Sequence, residues 1–245
     1  MIKNIALIPA RSGSKGIKNK NLRKVNGKSL VKRTYDHAKE SLIFEKIILS
    51  TDSLTIAQEI DSKISVELFD NNFDNFFEID SQALVHRRNP TMAHDLSPIR
   101  DLLFFIAKNI EFENLWMLQP TTPFRLNSEF LEINNTANYL EKQSVEWSSI
   151  VSCRLLTDVH PDRMLKIIDG FAHPILEAPL VDNIPRQLLE PVFVKDGGFY
   201  LLKRNNLLNR IMLGSKIVPY IRSGYKTINI DSLLDLRKAQ KVRIN

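Results

Sequence analysis

Residues 5–21 read IALIPARSGSKGIKNKN: an apolar run ends at Pro9-Ala10 and gives way to glycine, serine, four cations (Arg11, Lys15, Lys18, Lys20) and two asparagines (Asn19, Asn21). A surface loop kept only for solubility would mix charge signs, yet Arg11 to Arg33 contains no Asp or Glu. Glycines and serines let a backbone come close to ligand oxygens, while guanidinium and ammonium groups supply charge-assisted hydrogen bonds. The stretch therefore reads as the first strand of an α/β fold running into an anion-binding turn. Two common phosphate loops do not fit it. A dinucleotide fingerprint would need glycine where Arg11 stands, ahead of Gly13 and Gly16, and a P-loop ending in Gly27-Lys28-Ser29 would need glycine at Leu22.

The remainder of the chain agrees with a local anion site. Its 245 residues are 43% hydrophobic, enough for one sizeable core, so a single domain over 1–245 is expected. Formal net charge is +6, with the excess concentrated near the N-terminus. No zinc finger, RNA-recognition signature or basic zipper accompanies it, which argues against a nucleic-acid partner and for a small polyphosphate. No run approaches the roughly 18–20 apolar residues of a membrane helix, and residues 1–4 lead into a strand and not a signal-peptide core. A cytoplasmic protein without a membrane partner is the expectation. The lone Cys153 excludes an internal disulfide, and His37, His86, His94, His160 and His173 show no paired metal spacing.

Apolar runs alternate with amphipathic stretches, the pattern of strands crossed over by helices and of a largely parallel sheet. Strands are expected at Ile5–Pro9, Lys46–Ser50, Ser65–Phe69, Leu115–Leu118, Ser149–Cys153, Gly198–Leu202 and Thr227–Ile230. Helices are expected from a Ser29 cap to about Ser41, from Ser97-Pro98, from Asn127 or Ser128, and from Asp231 or Ser232. Asp70–Asp80, acidic and rich in Asn and Phe, reads as a loop. The stretch from about 156 to 191 carries five prolines, MLKIID and a Gly170 turn, and reads as an excursion from the sheet, a hairpin arm.

IPARSGSKGIKNKN resembles the nucleotide-binding signature of the acylneuraminate cytidylyltransferases, which make CMP-activated sialic acids and related nonulosonates. Four further blocks resemble that family in the same order: LSTDS at 49–53, RNPTMAHDLSPIRDLL at 88–103, LQPTTPFR at 118–125 and PRQLLEPVFVKDGGFYL at 185–201. The likeness spans nearly the whole chain. It implies a three-layer, Rossmann-like nucleotidyltransferase fold with a mixed, mostly parallel sheet, and a dimerisation arm near 156–191.

Residue by residue, the resemblance implies that Arg11, Ser14, Lys15, Lys20 and Asn21 bind the CTP triphosphate and ribose, with Arg88, Asp95 and Ser97 around the nucleoside. Asn89 interrupts an Arg-Pro pair usual at that point, and His94 stands where the family often has a small residue. Lys18, Arg23 and Lys24 match no motif and read as solvated or steering charges. Asp52 either faces the ligand edge of the sheet or caps the next helix. On the sugar side the resemblance implies Gln119, Arg186, Gln187 and Tyr200. Arg186 would grip the carboxylate beside the anomeric carbon, Tyr200 and Phe199 either face the sugar or lie in a core strand, and Arg125 either binds ligand or caps a turn.

The family commonly has two carboxylates two residues apart in the last block; here Asn229 stands where the first would be and Asp231 is the second. Mg²⁺ is the implied cofactor, held by Asp231 with Asn229, while Asp235 reads as a helix-surface charge. The implied reaction is CTP plus a nonulosonic acid giving a CMP-sugar and pyrophosphate in a homodimer, with Lys20, Arg11 and Asp231 as catalytic residues. The alternatives are a Kdo-type or other sugar cytidylyltransferase, and a nucleotide-binding protein with impaired turnover.

Overall fold

In the computed structural model, residues 3–14, 16–70, 73–94, 97–157, 159–176 and 185–243 are described, with the backbone alone for 68, 70 and 186. The IALIP run forms β1 (Asn4–Pro9) at the middle of an eight-stranded sheet. Its residues alternate between two cores: Ala6 and Ile8 on one face, Ile5 and Leu7 on the other. Burial on both faces is why a central parallel strand is apolar throughout.

The sheet also contains β4 (Lys46–Thr51), β5 (Phe76–Glu78), β6 (Ala83–Arg87), β7 (Asn114–Met117), β8 (Ser149–Leu155), β11 (Phe193–Lys203) and β12 (Ile217–Arg222), in the order β12-β8-β11-β7-β1-β4-β6-β5. Pairings are parallel except where β11 meets β7 and β8 and where β5 meets β6. Two further pairs lie outside it: β2 (Lys24–Val25) with β3 (Lys28–Ser29), and β9 (Leu165–Ile168) with β10 (Phe171–Pro174).

Helices cover both faces and make three layers. On one, α1 (Leu30–Glu40) and α5 (Asn127–Lys142) bury Val31, Tyr35, Phe130 and Ile133 against Trp116 and Phe199. On the other, α4 (Ile99–Asn109) and α6 (Arg204–Leu208) bury Leu102, Leu103, Ile106 and Leu207 against Met117 and Leu202. A third cluster joins Ile17, Val25 and Leu30 to Ile230, Leu236 and Ala239, seating α7 (Leu233–Lys241) against the segment that follows β1. No helix among the described residues is long and apolar enough to cross a membrane.

Several expectations need correction. Ser65–Phe69 is not a strand: Val66–Asp70 forms a short helix, α3, which follows the four-residue α2 (Leu54–Ala57). Ile64 and Phe69 are buried while Val66 is 56% exposed, a helical spacing too short for periodicity to distinguish from a strand. The sheet position belongs instead to β6. Thr227–Ile230 is not a strand either; a 3-10 turn occupies Gly224–Thr227, and the strand lies upstream as β12. Pro219 falls inside β12, which tolerates it as an edge strand paired on one side only. The Asp70–Asp80 loop contains β5, which pairs with β6.

Ser29 caps α1 as expected, its hydroxyl accepting from Lys32 N. In contrast, α5 starts after Leu126, whose N–H donates to Glu129, and not after Asn127 or Ser128. Asp235 is a capping residue rather than a mere surface charge: with Ser232 it closes a reciprocal box at the start of α7. The Ser232 hydroxyl, ahead of other causes, holds its carboxyl below the ordinary value. Of the expected arm, β9 and β10 form a hairpin around Gly170, while residues 158 and 177–184 lie outside the described residues.

Beneath β11 is a buried ionic cluster. Arg222 donates from Nε to Glu129 at 3.0 Å and from Nη1 to Asp196 at 3.1 Å, and Asp196 also accepts from the Ser152 hydroxyl and Gly198 N. Gly198 makes room for this: a Cβ there would lie 2.1 Å from Arg222 Nη1. Removing one partner from a buried pair strands a desolvated charge. Arg222→Ala should therefore destabilise the fold by about 3–5 kcal/mol in urea unfolding; a loss below about 1 kcal/mol, the level of an exposed pair, would contradict the burial.

Candidate active site

At the carboxyl ends of β1 and β7, where an open α/β sheet receives ligands, lies a cleft of about 530 Å³. Its floor and rim come from the segment after β1 (Arg11, Ser14, Gly16, Lys20, Asn21), the segment after β6 (Arg88, His94, Ser97), the segment after β7 (Gln119, Thr121) and the pair Asn229 and Asp231. A larger cleft of about 880 Å³ lies at the opposite edge, by Lys3, Glu113, Glu141 and Lys203. There Lys203 pairs with Glu141 at 2.7 Å and Lys3 donates to Asn138; it lies away from the carboxyl edge where such sheets receive ligands, so the carboxyl-edge cleft is the stronger candidate.

The loop after β1 is fixed from three sides. Asp52 accepts from Ser12 N at 2.7 Å and from the Ser12 hydroxyl at 2.6 Å, while Ser53 caps α2. Of the two roles open to Asp52, the cap falls to its neighbour, and the carboxylate pins the loop. The buried Asn21 side chain donates to Arg11 O at 2.8 Å, and Asn19 takes the left-handed conformation, φ 54°, that turns the chain into Lys20–Leu22. Asn tolerates that region better than most residues, which explains one of the two asparagines in the opening stretch.

The third anchor is Asp231. Gly16 passes so close that a Cβ would sit 2.4 Å from the Asp231 carbonyl oxygen. Lys20 Nζ reaches Asp231 Oδ1 at 3.0 Å, and Asn229 Nδ2 donates to Oδ2 at 2.7 Å. Asp231 remains open to solvent, its side chain 67% exposed.

Arg11 and Arg88 share the cleft. Arg11 reaches Ala93 O at 3.4 Å, and Arg88 is buried with Nε on Ser50 Oγ and Nη2 on Ser50 O. Burial pushes the Arg88 guanidinium down to about 10, with Asp52 pulling it up and Arg11 pushing it further down. Three cations therefore converge where Asp231 is the one carboxylate among the described lining residues, an arrangement that favours a polyanion. Ser97 lines the cleft and donates to Thr91 O. Asn89 caps the turn Pro90–Met92 through Thr91 N and donates to Asp74, so the interrupted Arg-Pro pair serves a local turn.

Lys15 and Asp95 lie outside the described residues. On the sugar side, among the described residues, only Gln119 lines this cleft. Arg186–Leu188 forms a 3-10 turn in the arm, where Gln187 is exposed and the Arg186 side chain is outside the description. Tyr200 packs in the core with Met117 and Leu202, and Phe199 packs on the opposite face. Arg125 is not a cleft ligand. It is buried, donates to the carbonyls of Gln119, Thr122 and Gly198, and is pushed down to about 9, first by burial and then by Arg222. It holds the wall from which Gln119 projects. Gln119 itself lies against Gly197, whose φ of +78° favours glycine and where a Cβ would be 2.8 Å from Oε1.

The Gly16 contact makes a sharp expectation. Gly16→Ala forces the loop off Asp231 and should weaken binding of the expected ligand CTP at least about tenfold by calorimetric titration. Gly13→Ala, where a Cβ meets nothing within 4 Å, should cost less; equal effects would show that the contact does not shape the site.

The cytidylyltransferase family model matches residues 5–75. The CMP-N,N'-diacetyllegionaminic acid synthase of Legionella pneumophila is 34% identical over 246 residues, covering 97% of this chain and 95% of that protein. The N-acylneuraminate cytidylyltransferase of Escherichia coli is 26% identical over 237 residues, covering 97% of this chain but 51% of its own length. The chain thus spans about half of the Escherichia coli relative and nearly all of the Legionella one. Among solved structures, a CMP:2-keto-3-deoxy-manno-octonic acid synthetase complexed with CTP superposes with a TM-score of 0.62 at 14% identity, over 97% of each chain. A 4-diphosphocytidyl-2C-methyl-D-erythritol synthase from Anaerococcus prevotii gives 0.57 at 15% identity, over 98% of this chain and 97% of that one. These structures share the fold, a three-layer, Rossmann-like nucleotidyltransferase architecture. With the full-length likeness to the legionaminic acid enzyme, the chain belongs to the acylneuraminate cytidylyltransferase family.

Proposed function

We propose that this cleft transfers CMP from CTP to the anomeric hydroxyl of a nonulosonic acid. The observation that carries the reading is the meeting of two segments 211 residues apart, Lys20 Nζ on Asp231 Oδ1, in a cleft shared with Arg11 and Arg88. The anomeric oxygen forms a bond to the α-phosphorus, the bond to the β-phosphate oxygen breaks, pyrophosphate departs and the hydroxyl proton passes to solvent. Positioning and electrostatic stabilisation supply the acceleration. Arg11 and Lys20, joined by Lys15, hold the triphosphate and offset charge on the leaving pyrophosphate; Ser14 and Asn21 line the same loop. Arg88, Asp95 and Ser97 surround the nucleoside.

The residues fit a magnesium ion of the substrate-shared kind. Asp231 presents an exposed carboxylate, and Asn229 spends Nδ2 on Asp231, which leaves its amide oxygen as a donor. Mg²⁺ prefers oxygen and commonly takes only one or two protein groups beside substrate phosphates. When bound, it supplies positive charge to the phosphate oxygens. Lys20 shares the Asp231 carboxylate and keeps the site cationic at its phosphate end.

Gln119 reads a hydroxyl or N-acyl group of the sugar, and Arg186 grips its carboxylate with Gln187 shaping the site. The arm assembles two copies of the chain. Ile167, Phe171 and Leu188 are 71%, 72% and 74% exposed, an apolar display that a second copy would cover. A reaction that consumes CTP is compatible with the cytoplasm, the location proposed for it.

The deciding experiment is pyrophosphate release from CTP, UTP and ATP with sialic, legionaminic, pseudaminic and Kdo acids. Release with CTP and a nine-carbon acid is expected; release with Kdo alone, or with no acid, overturns the reading. Lys20→Ala should lower kcat/KM for CTP by about 10²-fold or more, and unchanged kinetics would remove it from the phosphate site. Asn229→Asp should lower the Mg²⁺ concentration giving half-maximal rate, because a second carboxylate binds a hard cation more tightly; an unaltered Mg²⁺ titration would take Asn229 out of the metal site.

A further inference from the structure

What orients Arg88 lies behind it, inside the sheet. Its Nε donates to Ser50 Oγ at 3.0 Å and its Nη2 to Ser50 O at 2.7 Å. Ser50 on β4 pairs in register with His86 on β6, and Oγ lies 2.9 Å from His86 Nδ1. Both side chains are fully buried. A guanidinium can only donate, so Ser50 Oγ accepts from Arg88 and its single proton is left for His86 Nδ1. With that proton turned to the ring, Nδ1 is the bare nitrogen and the imidazole proton lies on Nε2, which faces Asp74 Oδ1 at 3.7 Å without a hydrogen bond among the described residues. Burial, with Arg88 adding to it, pushes His86 down to about 3, so the ring stays neutral.

The ring is also locked in place. It packs in a three-ring cluster with Phe76 of β5, 4.9 Å and 23° away, and Phe105 of α4, 5.0 Å and 22° away, whose own rings lie 6.2 Å apart. A guanidinium held by one hydrogen bond can swing about it, whereas two bonds to one residue fix its plane. The second bond depends on the Ser50 hydroxyl keeping a lone pair turned towards Nε, and that depends on its proton having a partner elsewhere.

We propose that His86 is a positioning residue: through Ser50 it sets the plane in which Arg88 presents its guanidinium to the nucleotide. The inference rests on the proposed function in that Arg88 faces CTP.

Two substitutions at His86 separate positioning from packing. H86F keeps an aromatic ring beside Phe76 and Phe105 and removes the acceptor, so KM for CTP should rise about tenfold, the value of one hydrogen bond to a charged group, with little change in Tm. H86N returns an acceptor near the Nδ1 position and removes the ring; Tm should fall while KM recovers to within about threefold of the native value. S50A cuts the same link without touching the stack and should match H86F, and the double variant S50A/H86F should be no worse than S50A alone. Native KM in H86F or S50A, a KM in H86N that follows its Tm, or multiplied effects in the double variant would each overturn the relay. R88A distinguishes the two readings: if it leaves KM for CTP unchanged, Arg88 is not a nucleotide ligand and the proposed site is wrong there. If R88A raises KM while H86F and S50A do not, the relay alone fails. Should H86F not fold, S50A decides.

Discussion

The site depends on the loop after β1 closing onto the segment before α7. Gly16 rests against the Asp231 carbonyl, Lys20 bonds the Asp231 carboxylate, and Ile17 packs with Ile230 in a small apolar cluster. The ion pair is partly exposed and contributes little to stability. The steric contact and the apolar cluster carry the closure, while the pair sets which charges face the cleft. Ser232 and Asp235 reinforce the same corner by fixing the start of α7, whose Leu236 and Ala239 complete the cluster.

Behind this corner stand three buried arginines with different duties. Arg222 neutralises Glu129 and Asp196 beneath the Gly197-Gly198 bulge; Arg125 ties three carbonyls at the root of Gln119; Arg88 leans on Ser50 and enters the cleft. Each has acceptors enough to offset its desolvation, the condition for a buried guanidinium. Their effect is a stiff wall behind a cationic opening, so the cleft need not reorganise to meet a polyanion. The sugar side differs. Arg186 and Gln187, the residues proposed for the sugar, lie in the same segment as a hairpin that shows apolar residues on the outside, so the proposed sugar half would rest on a part of the chain with little packing beneath it.

Much of the architecture was legible in the sequence because its signals are local. The apolar run of β1, the serine before α1 and the small-residue turn after Pro9 each declare themselves within a few residues. The misreadings share a cause. Residues 65–69 were too few for a period to show, Pro219 concealed an edge strand, and Thr227–Ile230 has strand-like residues that close a 3-10 turn, with Ile228 N on Tyr225 O and Ile230 N on Thr121 O in place of a ladder. Side-chain duties at long range are equally hidden: Asp52 reads either as a ligand-edge group or as a helix cap and holds Ser12, while Arg125 carries the same residue type as a ligand arginine and is buried structure.

By itself, the sequence determined the alternation of strand and helix, the place of the cationic loop after β1 and the order of the family blocks, because hydrophobic period, caps and small residues act over a turn or less. Only the tertiary structure decided which charges meet: that Asp231 faces Lys20 and not solvent alone, that Asp52 pins the loop, and that His86 stands behind Arg88. Those contacts join residues 36 to 211 positions apart. Strand order sets them, and strand order follows from burying both faces of one sheet at once.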